Sequence, residues 1–280
     1  MSNDDKLTRR GLITRLLASA SVLVLGGCER LSETTWFPKI LGLGEKATYK
    51  TQRLVVPRKA MAQEFPATEL SPQFRSNGTF MPSSPTYRAL AARGFTDYRL
   101  EVGGLVERPV TLTLPEIRKL PSRTQITRHD CVEGWSAIGK WKGARLSALL
   151  EAVRLKPNAR YVVVYCADPM EDGGSLYYES IDLEDAFHPQ TILAYELNGE
   201  PLPIKNGAPL RLRLERQLGY KMAKYVMRLE IVEDFSGIAG GKGGYWEDRG
   251  YEWYAGILSV RGLEKTGSPL ASRRNPCQRT

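Results

Sequence analysis

Hydrophobic and polar residues change rhythm several times along this chain, and each rhythm predicts an element. Tyr98-Arg-Leu-Glu-Val102 alternates and stops at Gly103-Gly104, the pattern of a half-buried strand. Thr113-Leu-Pro-Glu116 reads as a capping box with proline in the first turn, so a short helix is predicted through Leu120. From Ala144 to Val153 the apolar residues Leu146, Leu149, Leu150 and Val153 recur at helical spacing. Arg160-Tyr-Val-Val-Val-Tyr-Cys166 is β-branched and aromatic without a polar face, which predicts a buried strand. Leu210-Arg-Leu-Arg-Leu214 alternates strictly, and Tyr225 to Val232 is a further strand candidate. Strand and helix signals interleave with no internal repeat, so the fold class is α+β.

The two ends follow other rules. Thr8-Arg-Arg-Gly-Leu-Ile13 places paired arginines before the apolar run Leu16 to Gly27, the pattern of a twin-arginine export signal. That run has 12 residues, well short of the roughly 20 that span a bilayer as a helix. It ends Leu25-Gly-Gly-Cys28, which resembles a bacterial lipobox, so residues 1–27 are expected to be removed and Cys28 acylated. An ordinary signal cut elsewhere, or an uncleaved anchor, is the alternative. The expected location is the periplasm or the outer face of the cytoplasmic membrane. Residues 28–70 carry short apolar patches interrupted by Pro38, Pro57 and Pro66 and are expected to be a tether. A single domain is expected over 71–262, followed by a basic tail, 263–280, with a disordered composition.

Charge adds one constraint. The chain carries a formal +9, and loss of the leader removes Lys6, Arg9, Arg10 and Arg15 against Asp4 and Asp5. A basic balance suits nucleic acid, an anionic membrane surface or an anionic ligand. Export excludes nucleic acid and leaves the other two. With Cys28 assigned to lipid, Cys131, Cys166 and Cys277 remain, an odd number in a compartment that permits disulfides. No Cys-x-x-Cys-His occurs, and the two histidines, His129 and His188, are too few for a histidine-based zinc site.

The densest chemistry lies in Ile126-Thr-Arg-His-Asp-Cys-Val-Glu-Gly-Trp-Ser136, followed by Trp141-Lys-Gly-Ala-Arg-Leu146. A cysteine between a strand-like run and a Gly-Trp-Ser turn is placed to show sulfur to a cleft, as a soft metal ligand or as a nucleophile. A buried structural thiol is the plain alternative. A second block runs His188-Pro-Gln-Thr-Ile-Leu-Ala-Tyr-Glu-Leu-Asn-Gly199, Pro201-Leu-Pro203, Asn206-Gly-Ala-Pro-Leu-Arg211 and Leu218-Gly-Tyr-Lys-Met-Ala-Lys224. In order and spacing the two blocks resemble the sulfite oxidase superfamily, nearest the branch of periplasmic methionine sulfoxide reductase catalytic subunits. The likeness covers roughly residues 70 to 260.

The resemblance implies a sulfite-oxidase-type molybdopterin-binding domain with mixed sheets and short helices, and Mo-molybdopterin as cofactor. By resemblance Cys131 is the catalytic residue and the protein's ligand to molybdenum, and Asn77, Asn206, Arg211, Met222, Ala223 and Lys224 contact the cofactor. Cys166 stands where the reductase branch has threonine, which places a hydroxyl hydrogen bond in doubt. His129 or Arg128, neighbours on a strand, face opposite ways, so one of them shares a face with Cys131. His188 is read as packing. The glycine and aromatic run from Ser236 to Tyr254 is read as a loop over a pocket, its glycines too weak a signal for a nucleotide site.

The implied reaction is oxygen-atom transfer coupled to two electrons, on a small oxo-donor or oxo-acceptor. The electron partner implied is a membrane haem-b subunit or a soluble cytochrome. The aromatic residues near the end favour sulfoxide-type reduction over sulfite dehydrogenation, and the lack of an immunoglobulin-like dimerisation domain predicts a monomer. Two readings from other classes stay open: a lipoprotein that binds cofactor or partner without turnover, and a thiol-disulfide protein using Cys131 and Cys166.

Overall fold

A computed structural model of the chain describes residue 34, residues 36–170 and residues 174–257. The export leader, Cys28 and the basic tail lie outside the described residues. Contacts divide the chain between Val55 and Val56. In the first unit, α1 spans Phe37–Val55 where a tether is predicted. The prolines that suggest interruption bracket this helix. Pro38 sits in its first turn, where a missing N–H costs nothing, and Pro57 lies just past its end. Among the described residues no helix is long and apolar enough to cross a membrane.

The second unit is built on two five-stranded sheets. The first runs in the order β2 (Val110–Thr113), β1 (Arg99–Gly104), β10 (Val226–Val232), β5 (Tyr161–Pro169), β6 (Leu176–Asp182). β1 and β10 are parallel and the other pairs antiparallel. The second sheet is β3 (Ser122–Asp130), β4 (Ser136–Arg145), β7 (Ile192–Leu197), β8 (Glu200–Pro201), with β9 (Arg211–Arg213) also on β7. Short helices α2 (Pro85–Ala92), α3 (Leu114–Lys119), α4 (Leu146–Val153) and α5 (Leu183–Ala186) connect them. The mixed sheets and short helices match the α+β expectation.

Local chemistry explains most boundaries. The capping box forms as predicted: Thr113 Oγ1 accepts from the Glu116 N–H and the Glu116 carboxylate accepts from the Thr113 N–H. Ala144 and Arg145 complete β4, so α4 begins at Leu146 and buries Leu146, Leu149, Leu150 and Val153. β4 shifts register against β7 between Lys142 and Gly143, where a Cβ on Gly143 would lie 2.3 Å from the Leu193 carbonyl oxygen. Only glycine allows that approach.

The main core collects Leu100 and Val102 of β1, the valines of β5, Leu229 and Ile231 of β10, and α4, together with Leu193, Leu210 and Leu212 of the second sheet's side. Phe74, Trp141, Ile192, Ala194 and Leu197 form a second cluster. β7 therefore buries both faces, with Leu193 in one cluster and Ile192 in the other.

The strict alternation of residues 210–214 predicts a strand with a wet arginine face. Instead Arg211 and Arg213 are fully buried. Their guanidinium groups lie 5.5 and 4.3 Å from the ring centre of Trp141, and Arg213 pairs with buried Glu215 at 2.7 Å. Aromatic faces and a counter-charge replace water.

Residues 57–65, counted with the tether in sequence, belong to the second unit as a strap. The Gln190 side chain brackets Ala62, accepting from its N–H at 2.8 Å and donating to its carbonyl at 3.0 Å. Phe65 N–H donates to Ile126 O at 2.9 Å, and Arg216 donates to Arg58 O at 2.9 Å. His188 Nε2 meets Ala60 O at 3.1 Å, the packing role expected of it.

Candidate functional site

Cys131 sits at the tip of the β3–β4 hairpin. Register places Asp130 opposite Ser136, so residues 131–135 form the loop. Cys131 N–H donates to Trp135 O at 2.9 Å and Gly134 N–H to Cys131 O at 3.1 Å, with Gly134 at φ +83° where a side chain would be strained. The thiol is free and buried, and burial pushes it up from its ordinary value.

The sulfur's residue lines a cavity of about 210 Å³ with Asn77, Asp168, Tyr177, Tyr220, Met222 and Lys224. Ala223, Thr79 and Glu133 also reach it, as do Trp246 and Tyr251. Lys224 Nζ is spent on three carbonyls, donating to Asn77 O at 2.6 Å, to Thr79 O, and to Lys205 O at 3.3 Å. It therefore fastens the segment 77–79 to the cavity. Burial, then the charge of Arg211, pushes Lys224 down to about 7, and burial pushes Asp168 up to about 6.

Behind Cys131 runs a buried polar chain. Gln125 donates to Glu215 at 2.9 Å, Arg213 donates to both Glu215 oxygens at 2.9 and 2.7 Å, and Arg213 Nη1 donates to His129 Nδ1 at 3.1 Å. Nδ1 thus accepts and the proton sits on Nε2. Burial, then Arg211 and Arg213, holds the ring neutral. His129 turns inward while Arg128 faces out to Asp130, so His129 is the neighbour that shares the inner side with Cys131. Gly219 makes room for the ring, since a Cβ there would lie 2.5 Å from Nε2.

Several buried atoms around this region have no hydrogen-bond partner among the described residues. They are the donors His129 Nε2, Asn206 Nδ2, Arg211 Nε and Arg211 Nη2, and the acceptors Asn77 Oδ1 and Asp168 Oδ1. Arg211 spends Nη1 on Asn206 O at 3.2 Å, and burial pushes it down to about 9, still charged at neutral pH. Leaving one buried polar atom unsatisfied costs about 1–3 kcal/mol. Six in one neighbourhood mark a polar ligand's seat.

The far wall is the aromatic loop. Trp246 and Tyr251 stack at 5.3 Å, and Tyr251 meets Tyr220 edge-on at 5.2 Å. The glycines before them wrap Asp248, whose carboxylate accepts from Gly240 and Lys242 N–H at 3.0 Å each. Their amides serve the chain's own carboxylate and not a phosphate.

Residues 88–237 match the family model for the oxidoreductase molybdopterin binding domain. The chain belongs to that family. A putative protein-methionine-sulfoxide reductase subunit YedZ1 of Azospira oryzae is 35% identical over 89% of this chain and 87% of its own length. The protein-methionine-sulfoxide reductase catalytic subunit MsrP of Xanthomonas axonopodis is 37% identical over 49% of this chain and 45% of its own. Among solved structures, the sulfane dehydrogenase SoxCD of Paracoccus pantotrophus aligns with a TM-score of 0.45 and 26% identity, over 50% of this chain and 39% of that one.

A molybdopterin binding domain must seat a ligand with an amino-bearing pterin and a phosphate, and the unpaired atoms fit both needs. Acceptors suit the amino edge and donors suit oxygens. Of the residues singled out in sequence, Cys131, Asn77, Met222, Ala223 and Lys224 line the cavity. Asn206 and Arg211 stand buried behind it, next to Gly207, where a Cβ would lie 3.0 Å from Lys224 Cβ and 3.2 Å from Arg211 Cβ. Cys166 does not line it. β5 turns that thiol into the main core, opposite Val226 of β10. Sequence reasoning passed over Asp168, Tyr177 and the Glu215–Arg213 pair. An acid near the end of a valine-rich strand is the available signal for Asp168.

Proposed function

We propose that this oxidoreductase is an exported sulfoxide-type reductase in which Cys131 ligates the molybdenum of Mo-molybdopterin. One observation carries the proposal: a buried free thiol at a hairpin tip opens on a cavity surrounded by unpaired buried donors and acceptors. When bound, the cofactor supplies two-electron oxygen-atom transfer.

The chain's own residues bind and orient. Cys131 would hold the molybdenum as a thiolate, its sulfur fixed by the hairpin. Asn77 and Asp168 offer acceptors to the pterin's amino edge, and Asn206, Arg211 and His129 offer donors. Lys224 keeps Asn77 and Thr79 in place through their carbonyls. Met222 Sδ lies 3.2 Å from His129 Nδ1 and packs against the ring.

Charge at the cavity favours a neutral substrate over sulfite. Among the described residues Lys224 is the one lysine or arginine in the lining, and its Nζ is spent on carbonyls, whereas Asp168 and Glu133 bring carboxylates. Val132, Met170, Tyr177, Tyr220, Trp246 and Tyr251 supply apolar and aromatic surface instead, which suits a methyl–sulfur group. The relatives' names as methionine-sulfoxide reductase subunits support the same direction. Twin-arginine export, an acylated Cys28 and a periplasmic or membrane-surface location belong to this proposal, since export of folded cargo suits a cofactor inserted beforehand. So does a separate electron donor, a membrane haem-b subunit or a soluble cytochrome.

The test is molybdenum per chain by mass spectrometry, for wild type and Cys131→Ser exported in the native host. Dye-coupled turnover is followed with methionine sulfoxide and, in reverse, with sulfite. We expect near one metal per wild-type chain, loss of turnover in the variant, and preference for the sulfoxide. A metal-free wild type from molybdenum-replete cells ends the proposal; turnover of sulfite alone ends its direction.

A further inference from the structure

Three aromatic residues of the cavity wall come from three separate elements: Tyr177 from β6, Tyr220 from the 3-10 turn Gly219–Lys221, and Trp246 from the aromatic loop. Within two positions of each stands a buried charge: Glu179, Lys221 and Glu247. All three are at most 1% exposed. Lys221 Nζ donates to Glu179 Oε1 and, at 2.6 Å, to Glu247 Oε1. A charge triplet thus joins the elements without itself lining the cavity.

The joint is close-packed. A Cβ on Gly244 would lie 2.0 Å from Glu247 Oε2 and 2.8 Å from Glu179 Oε1, so both carboxylates converge on one glycine. Residues 243–245 lie along the outer edge of β6: Gly244 bridges Glu179, Tyr245 N–H donates to Tyr178 O at 3.0 Å, and Ser180 Oγ donates to Gly243 O. The Trp253 ring centre lies 5.4 Å from Lys221 Nζ.

We propose that Glu179, Lys221 and Glu247 are positioning residues that seat the aromatic wall and so set how tightly substrate is held, without touching it. The effect on substrate rests on the reductase reading above. Two carboxylates face one ammonium, and Oε2 of each has no partner among the described residues, so one shared proton balances the triplet. Burial, then Glu247, pushes Glu179 well up, in keeping with that proton. The other titratable groups facing the triplet are Tyr177, Tyr220, Cys166, and Tyr178 with its partner Asp248. The tyrosines and the thiol are all raised, so they stay neutral near pH 7; Asp248, Asp168 and Glu252 are further carboxylates that act on these tyrosines.

The test uses full-length, cofactor-loaded protein and two variants. Lys221→Met leaves both carboxyl groups without their ammonium; Glu247→Gln keeps the shape and removes the excess charge. With methionine sulfoxide as substrate, we expect Lys221→Met to raise KM at least tenfold with kcat within twofold. Wild-type KM climbs with pH as the shared proton is lost, and in Glu247→Gln it stays flat. A second readout needs no turnover: trypsin cleavage after Lys242 and Arg249, followed by mass spectrometry against cleavage after Lys140 on β4. Lys221→Met should speed the loop cuts at least tenfold and leave the Lys140 cut unchanged. Equal acceleration at all three sites, or an unchanged KM beside a lowered Tm, overturns the proposal. If wild type turns over no sulfoxide, the reductase reading fails, and the loop cuts alone decide whether the triplet seats the wall.

Discussion

The strap at residues 57–65 and the aromatic wall at residues 243–254 are both irregular segments laid against the sheets, and they are fastened with opposite charge logic. The strap is held by neutral groups that match one to one and by ion pairs that balance, Arg123 with Glu64 and Arg58 with Glu184. Gln190 gives Ala62 a donor and an acceptor, His188 meets one carbonyl, and the charged anchor Arg216 has its counter-charge in Asp185. The wall is held by two acids around one base. A matched set closes without an extra proton. A mismatched set needs a proton to close, so a segment fastened that way answers to its surroundings. The wall borders the cavity, and the strap's anchors do not.

Removing the charge that both acids share should give the largest effect. Lys221→Met strands two buried carboxyl groups, and breaking a buried ion pair costs about 3–5 kcal/mol. For a domain of this size that lowers Tm by about 10 °C, read by calorimetry on cofactor-loaded protein. Gln190→Ala removes three hydrogen bonds from the strap, two to Ala62 and one to the Glu64 carboxylate, and leaves the Ala62 amide and carbonyl unpaired. Its expected cost is about 1–3 kcal/mol, with no change in KM. A strap variant that costs more than Lys221→Met, or that shifts KM, breaks the comparison.

Much of the frame is legible in sequence because it depends on neighbours within a few positions. The β5 valines, the capping box at Thr113 and the buried face of α4 all form where local pattern puts them. Asn77, Met222 and Ala223, named through the family resemblance, line the cavity. What local pattern misses depends on partners far along the chain. Alternation at Arg211 and Arg213 assumes water on the polar face, and nothing nearby announces that Trp141 covers it. The strap looks like a tether because Gln190 and His188 grip its backbone, which carries no side-chain signature of being gripped. Cys166 was paired with the site by its register in the family, while its strand face turns it into the core. The Glu179–Lys221–Glu247 triplet joins residues 42 and 26 positions apart, and each alone reads as an ordinary surface charge.

The smallest expected effect is also the sharpest test, because the two fastenings should respond to pH with opposite sign. Burial, then Arg216, pushes His188 down to about 4 from its ordinary 6.5. The unfolded chain therefore takes up a proton first as pH falls. The strap's contribution is complete above about 6.5 and is lost on acidification toward 4. Glu179 is displaced the other way, held above the ordinary 4.5 by burial and by Glu247. Its contribution is complete below 4.5 and is lost as pH rises through its folded-state value. Hydrogen exchange, corrected for intrinsic pH dependence, reads both in one sample: the Ala62 amide, held by Gln190, reports the strap, and the Tyr245 amide, held by Tyr178, reports the wall. Between pH 5 and 7.5 we expect Ala62 protection to rise and Tyr245 protection to fall, each by a few-fold. Parallel changes at the two amides mean that the segments open together, and the distinction between a fastening that a proton loosens and one that a proton closes is then lost.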